Sequence, residues 1–281
     1  MVDRTGDTNC GNDSSSIRVA SIQWERVSTP FSYGDRVLIR DSKDRRYLEV
    51  LKEGGEFHTH AGFIPHSHIV GAPEGIALET AKGSRYHILR PTLEDFVLEM
   101  PRGAQVIYPK DLATICMIGD MKPGLRVFET GLGSGALSMA MLRQGVHITG
   151  YEIREDFANR AVSNVRSFLG EEPLSRYDVS IRDAYEGIDG DGFDRIVLDL
   201  PEPWNVVPHA SSALRPGGLL VAYTPSITQA VKVRESMSNG WIEERTLEVL
   251  HRTWHIEGQA VRPDHRMVAH TAFLTVARYL G

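Results

Sequence analysis

The chain has 281 residues, 41% of them apolar and 24% charged, with a net charge of −6 at neutral pH. That length holds one large domain or one large and one small, and the composition is that of a globular protein rather than a low-complexity one. No apolar run is long enough to span a bilayer, two cysteines argue against a disulfide framework and for a reducing, cytoplasmic compartment, and the acidic balance argues against a protein that merely coats nucleic acid, though not against an enzyme with a local basic patch.

The N-terminal residues 1–16, "MVDRTGDTNCGNDSSS", lack the apolar core of a signal peptide and read as a disordered polar tail. Residues 17–90 carry short, strand-like patterns and no helical period. "DRVLIRDSKDRRYLEVL" alternates apolar and polar residues about a charged turn, as a hairpin does. "GGEFHTHAGFIPHSHIVGAPEG" is too rich in Gly, Pro and His for anything but short strands and turns. A small β-barrel-like domain is therefore expected. A linking helix from Thr92 to Met100 follows, with Thr92 and Asp95 spaced as a capping pair. From about Lys110, strands and helices alternate: "LRVFET", "HITGYEI", "YDVSIRDA", "FDRIVLDL" and "GLLVAYTP" read as strands, and "REDFANRAVSNVRSFL" as an amphipathic helix. Two further strand-like runs, separated by a basic loop, end the chain. This α/β alternation over residues 91–281 predicts a Rossmann-like, doubly wound parallel sheet.

The first of those strands runs into "FETGLGSGALS". Gly131, Gly133 and Gly135 permit a tight turn and close approach of a ligand to the backbone, with a helix N-terminus behind them. Such a turn by itself is equally a structural feature. Its context is more telling: the next strand ends in Glu152, about 20 residues on, where an acid binds ribose hydroxyls. The third ends near Asp183 and the fourth at Asp199. Ligands of open α/β sheets bind beyond the carboxyl ends of the strands, so an adenosine-bearing cofactor is expected, either a nicotinamide dinucleotide or S-adenosylmethionine. The order of elements, with a small domain and a helix before the glycine turn and a possible antiparallel hairpin at the end, is similar to the seven-stranded class I methyltransferase fold.

Four segments, "QVIYPKD" (105–111), "GLGSGAL" (131–137), "YEIRED" (151–156) and "DLPEPW" (199–204), together resemble the tRNA adenine N1-methyltransferase family that acts on position 58 of the T-loop. "THAGFIPHSHIVGAPEG" and "RPDHRMVAHTAFL" are similar to its N-terminal β-domain and C-terminal signature. The glycine motif is generic; the pairing of "YPKD" with "DLPEPW" is far more selective. Two departures are Val268-Ala269, where the family often has a small residue, and His66-Ser67-His68, where acids are frequent.

The resemblance implies a homotetramer that binds tRNA, everts an adenine and methylates its N1 with S-adenosylmethionine. Carried over by motif, Gly131, Leu132, Gly133, Ser134 and Gly135 cradle the cofactor and Glu152 takes its ribose. Phe157 and Asp183 face its adenine, and Gln105 closes the pocket. Asp199 borders both cofactor and target base and is the catalytic candidate: a carboxylate accepting a hydrogen bond from the adenine amino group enriches the ring as positive charge develops. Tyr108 and Trp204 are candidates to stack on the base, although Trp204 could equally pack beneath its turn. Lys110, Arg262, His265 and Arg266 are candidate phosphate contacts. His58, His60, His66 and His68 lack the companions of a metal site and read as polar surface contacts. The competing functions are another class I methyltransferase acting on a protein or small molecule, a dehydrogenase, and a tRNA-binding subunit without catalysis.

Overall fold

The computed structural model describes residues 29–100, 103, 105–238 and 240–281; the polar tail and Cys10 lie outside the described residues. Period-two patterning builds the first sheet. β1 (Arg36–Asp41) and β2 (Arg46–Val50) pair antiparallel with Leu38 opposite Leu48. Asp41 closes their turn by accepting the amides of Lys43 and Arg45, each at 2.9 Å. β3 (Glu56–Thr59) pairs with β4 (Gly62–Pro65), and β5 (Ala77–Glu79) with β6 (Arg85–Leu89).

Among the described residues the hydrogen-bonded order is β2-β1-β6-β5, with β3-β4 as a separate pair, and these strands form two open sheets rather than a closed barrel. They pack on Phe31, Ile39, Phe57, Ile64, Tyr86 and Ile88. His66 belongs to this packing and is no surface contact: it is 3% exposed, and its Nδ1 accepts the Lys52 amide at 2.9 Å. His58, His60 and His68 are exposed.

α1 (Leu93–Glu99) starts with the anticipated cap. Thr92 Oγ1 accepts the Asp95 amide at 3.1 Å, and Asp95 returns the bond to the Thr92 amide at 3.0 Å. Asp95 also pairs with Arg46 of β2 at 3.0 Å, and Phe96 stacks on Phe168 at 4.6 Å. The short helix thereby ties the small sheets to the larger layer.

That layer comprises α2 (Pro109–Ile118), β7 (Arg126–Thr130), α3 (Ala136–Leu142), β8 (His147–Glu152), α4 (Glu155–Leu169), β9 (Tyr177–Ile181), β10 (Phe193–Leu198), α5 (Val207–Ala213), β11 (Leu214–Thr224), α6 (Ile227–Ser236), β12 (Trp241–Glu248), β13 (Trp254–Glu257), β14 (Ala260–Pro263) and β15 (Phe273–Tyr279). Seven strands form one sheet in the order β12-β15-β11-β10-β7-β8-β9. β7 to β11 are mutually parallel and β15 is antiparallel to both its neighbours.

The central strands are continuous apolar runs because both their faces are covered. Val127, Val197 and Val221 face one cluster, and Phe128, Ile196, Leu198 and Leu220 the other. α4 turns Ala158, Ala161 and Val165 inward, which is the source of its amphipathic period. Where a basic loop was expected near the C-terminus, β13 and β14 form a hairpin outside the sheet. Chain direction across the sheet reverses between β7 and β10, the position at which open α/β sheets carry their ligands.

Candidate active site at the sheet switch point

Thr130 and Leu198 are register partners at the ends of β7 and β10, and the Asp199 amide donates to the Thr130 carbonyl at 3.0 Å. The glycine turn and Asp199 therefore leave the sheet side by side. At Gly131 the backbone has φ +82°, and a Cβ there would stand 1.9 Å from the Asp199 carbonyl oxygen. Only glycine allows the two strand ends to approach this closely. Gly135, also left-handed, lets α3 begin against α4, where a Cβ would meet Ala161 at 3.0 Å. Leu132 and Ser134 are buried within the turn, and Asn164 of α4 donates to the Ser134 carbonyl at 2.9 Å.

Glu152, 7% exposed, ends β8 beside this turn. Its Oε2 accepts the Gly133 amide at 3.2 Å and its Oε1 the Arg154 amide at 3.0 Å. Phe157 in the first turn of α4 is half-buried beneath the Arg154 guanidinium, 3.7 Å from the ring centroid. β9 stops at Ile181, so Asp183 lies in the following loop and not on the strand itself. There its Oδ1 accepts the Tyr185 amide at 2.9 Å. Tyr185 reaches back across the sheet edge, its hydroxyl accepting the Glu202 amide at 3.0 Å. Gln229 of α6 holds the same turn by donating to the Pro201 carbonyl at 2.9 Å.

Two acids at the switch point are perturbed in the same direction. Burial, and secondarily the charge of Glu152, pushes the Asp199 carboxyl up to about 7. Burial pushes the Glu129 carboxyl of β7 up to about 8, with Asp199 adding to the effect against a lowering contribution from Ser138. Glu129 is 1% exposed, and among the described residues neither of its carboxylate oxygens has a partner in good hydrogen-bond geometry, Ser138 lying close enough only to offset part of the rise. An orphaned carboxylate is costly in a protein interior. It fits a ligand that brings a positive charge, such as the ammonium and sulfonium of S-adenosylmethionine, and the donor-poor acids around the turn fit a ribose and an amino group. Glu129 belongs to no motif named above; its mark in the sequence is a lone acid inside the apolar run "RVFET".

Tyr223 near the end of β11 is a second residue absent from the motif reading. It is 7% exposed, and its hydroxyl is raised well above the usual range by burial and then by the charges of Asp111 and Asp199. Tyr108, the N-cap of α2, is half-buried and adds to the same field, which brings Tyr108, Tyr223 and Asp199 into one neighbourhood. Gln105 is exposed ahead of them. Trp204 sits in a 3₁₀ turn, half-buried, with Lys232 4.4 Å from its ring centroid.

Lys110 departs from its expected place. It is 6% exposed, and its ammonium is bound to Asp111 at 2.9 and 3.1 Å and to the Thr271 hydroxyl. It does not reach a phosphate at the surface. Arg262, His265 and Arg266 are exposed on β14 and the loop after it. A groove of about 640 Å³ between α1, α2 and α3 is lined by Leu93, Cys116, Met117 and Arg143 and opens near the start of β7, at the other end of the strands.

The strand order, the glycine turn and the acids at successive strand ends define a class I S-adenosylmethionine-dependent methyltransferase. The family model described as "tRNA methyltransferase complex GCD14 subunit" matches residues 85–262, and one described as "TrmI-like N-terminal" matches residues 30–78. The chain belongs to this tRNA methyltransferase family. It is 38% identical to the tRNA (adenine(58)-N(1))-methyltransferase TrmI of Thermus thermophilus, over 86% of this chain and 96% of that one. Among solved structures, it superposes on a SAM-dependent O-methyltransferase from Thermotoga maritima with a TM-score of 0.86 at 32% identity, covering 92% of this chain and 97% of the other. It superposes on the tRNA (m1A58) methyltransferase TrmI from Aquifex aeolicus with a TM-score of 0.79 at 28% identity, covering 89% and 99%.

Proposed function

We propose that this protein transfers a methyl group from S-adenosylmethionine to N1 of the adenine at position 58 in the T-loop of tRNA. The observation that carries the proposal is Asp199: a half-buried carboxyl raised to about 7, fixed by strand pairing beside the glycine turn, in a chain of the tRNA methyltransferase family. The cofactor supplies an electrophilic methyl on a good leaving group, so the protein's work is alignment and charge stabilisation. Glu152 and Asp183 orient the ribose and adenine, Glu129 receives the cationic end, and Gln105, Leu132 and Phe157 border the same pocket. Asp199 accepts a hydrogen bond from the target adenine's amino group. As the ring becomes cationic that bond strengthens, a contribution of about 3 kcal/mol by comparison with single oxyanion-hole donors. Pro201 and Pro203 stiffen the turn, and Tyr108 and Trp204 wall the everted base.

The exposed Arg262, His265 and Arg266 supply phosphate contacts to a chain that is acidic overall. A homotetramer is consistent with apolar side chains left open on the hairpin, such as Ile256 at 73% and Val261 at 59% exposure. We place the protein in the cytoplasm, and divide it at residues 90/91 into a small β-domain and a methyltransferase domain.

A second reading, a hydroxyl acceptor, draws on the name of the Thermotoga relative and on a carboxyl near 7 that could serve as a general base. Labelled S-adenosylmethionine and unmodified bulk tRNA, followed by nuclease digestion and mass spectrometry, separate the two. N1-methyladenine in the T-loop fragment is expected. Its absence, or a 2′-O-methyl nucleoside in its place, overturns the proposal.

A further inference from the structure

We propose that Lys110, Asp111 and Thr271 form a positioning triad that sets Tyr108 and the entrance to β15 against Asp199, making all three residues determinants of turnover on tRNA. The proposal rests on the site assigned above and deepens it.

The three side chains close a ring. The Lys110 ammonium donates to Asp111 Oδ1 at 2.9 Å and Oδ2 at 3.1 Å and to the Thr271 hydroxyl, which in turn donates to Asp111 Oδ2 at 2.6 Å. Asp111 is fully buried at 0% exposure and Lys110 nearly so at 6%. Every acceptor in the ring is used, as a buried charged pair requires.

One side of the ring is the first turn of α2. Its cap is Tyr108, whose carbonyl accepts the amides of Asp111 at 2.9 Å and Leu112 at 3.0 Å. The other side is the residue that leads into Ala272 and β15. The adjoining His270 is pinned to Glu248 of β12 at 2.7 Å and to the Pro225 carbonyl at 2.8 Å. Tyr223, 7% exposed, borders both: Thr271 and Asp111 of the ring and Asp199 all act on its hydroxyl.

A buried ion pair of this kind adds little stability over apolar residues of equal volume, whereas it fixes direction and register. What it fixes here is the angle of Tyr108 at the mouth of the crevice and the approach of the segment that carries His265 and Arg266. An apolar trio would fill the space without setting either.

The test uses Thr271→Val, Thr271→Ser and the double substitution Lys110→Met/Asp111→Leu. Each is assayed for kcat and KM on unmodified tRNA, for S-adenosylhomocysteine affinity by calorimetry, and for melting temperature. Thr271→Val removes both hydrogen bonds that the hydroxyl makes to charged groups, one from Lys110 and one to Asp111, and predicts a fall in kcat/KM of at least about 10- to 100-fold. S-adenosylhomocysteine affinity should stay near the wild-type value, the melting temperature should fall by several degrees because two buried hydrogen bonds are lost, and Thr271→Ser should restore both rate and melting temperature. The double substitution should melt no lower than wild type and lose turnover to the same degree.

Wild-type kcat/KM in Thr271→Val, or a loss shared in proportion by cofactor affinity, overturns the triad. If the double substitution fails to fold, the valine and serine pair decides alone. A wild-type protein that methylates no tRNA overturns the functional reading and the triad with it; an active wild type with an equally active Thr271→Val overturns only the triad.

Discussion

Glu129 allows a quantitative test of the cofactor site. Its carboxyl, 1% exposed and with no well-formed hydrogen bond among the described residues, is pushed up to about 8. If the ionised form binds the cationic end of S-adenosylmethionine, binding must release a proton below that pH. The ionised fraction is roughly 1% at pH 6 and about 50% at pH 8, so this group alone should raise affinity about 50-fold across that interval. Calorimetry in buffers of different ionisation enthalpy should count close to one proton released per cofactor at pH 7. In Glu129→Gln the rise should shrink to the smaller part contributed by Asp199, below about tenfold and centred near its pKa of about 7. Affinity that stays flat from pH 6 to pH 8 with no proton released would refute the pairing of Glu129 with a cation. So would a Glu129→Gln variant that keeps the full pH dependence.

The same acids govern stability without cofactor. Both carboxyls lie above their ordinary values, so the stability they contribute is complete below about pH 4 and is lost as pH rises through about 7 for Asp199 and about 8 for Glu129. The melting temperature of the free protein should fall between about pH 4 and pH 8 and level off above that in differential scanning calorimetry, and fall less in Glu129→Gln. Gly131→Ala places a methyl 1.9 Å from the Asp199 carbonyl oxygen and must push β7 and β10 apart. A loss of more than about 3 kcal/mol in denaturant unfolding is expected, with cofactor binding and turnover both impaired. Tyr185→Phe removes the acceptor of the Glu202 amide. Because that bond is exposed, kcat should drop only about two- to fivefold in a steady-state tRNA methylation assay, with unchanged cofactor affinity.

The parallel sheet was legible because buried strands such as "RIVL" and "LLVAY" are unbroken apolar runs between helices of clear period. The glycine turn and its acids were legible because ligand chemistry gathers at strand ends. The hairpin Trp254–Pro263 was not: its residues are largely exposed on both faces, which leaves no alternation to read. Depth is equally hidden. Lys110 reads as a phosphate contact because its neighbour Asp111 looks like an ordinary first-turn acid of α2, and Thr271, which completes the ring, lies 161 residues away. Tyr223 and Glu129 look like ordinary members of apolar strands until the fold sets them beside Asp199. His66 reads as polar surface, yet its ring fills a core that the short strands around it could not close.

The most direct measurement is the single-turnover rate of N1-methyladenosine formation in the T-loop fragment, by mass spectrometry, for wild type and Asp199→Ala at saturating cofactor. A loss of about 3 kcal/mol of transition-state stabilisation corresponds to roughly 150-fold in rate, with cofactor affinity retained within about tenfold. Asp199→Ala turning over at the wild-type rate, or losing activity only through loss of cofactor binding, would contradict the role of Asp199 at the target base.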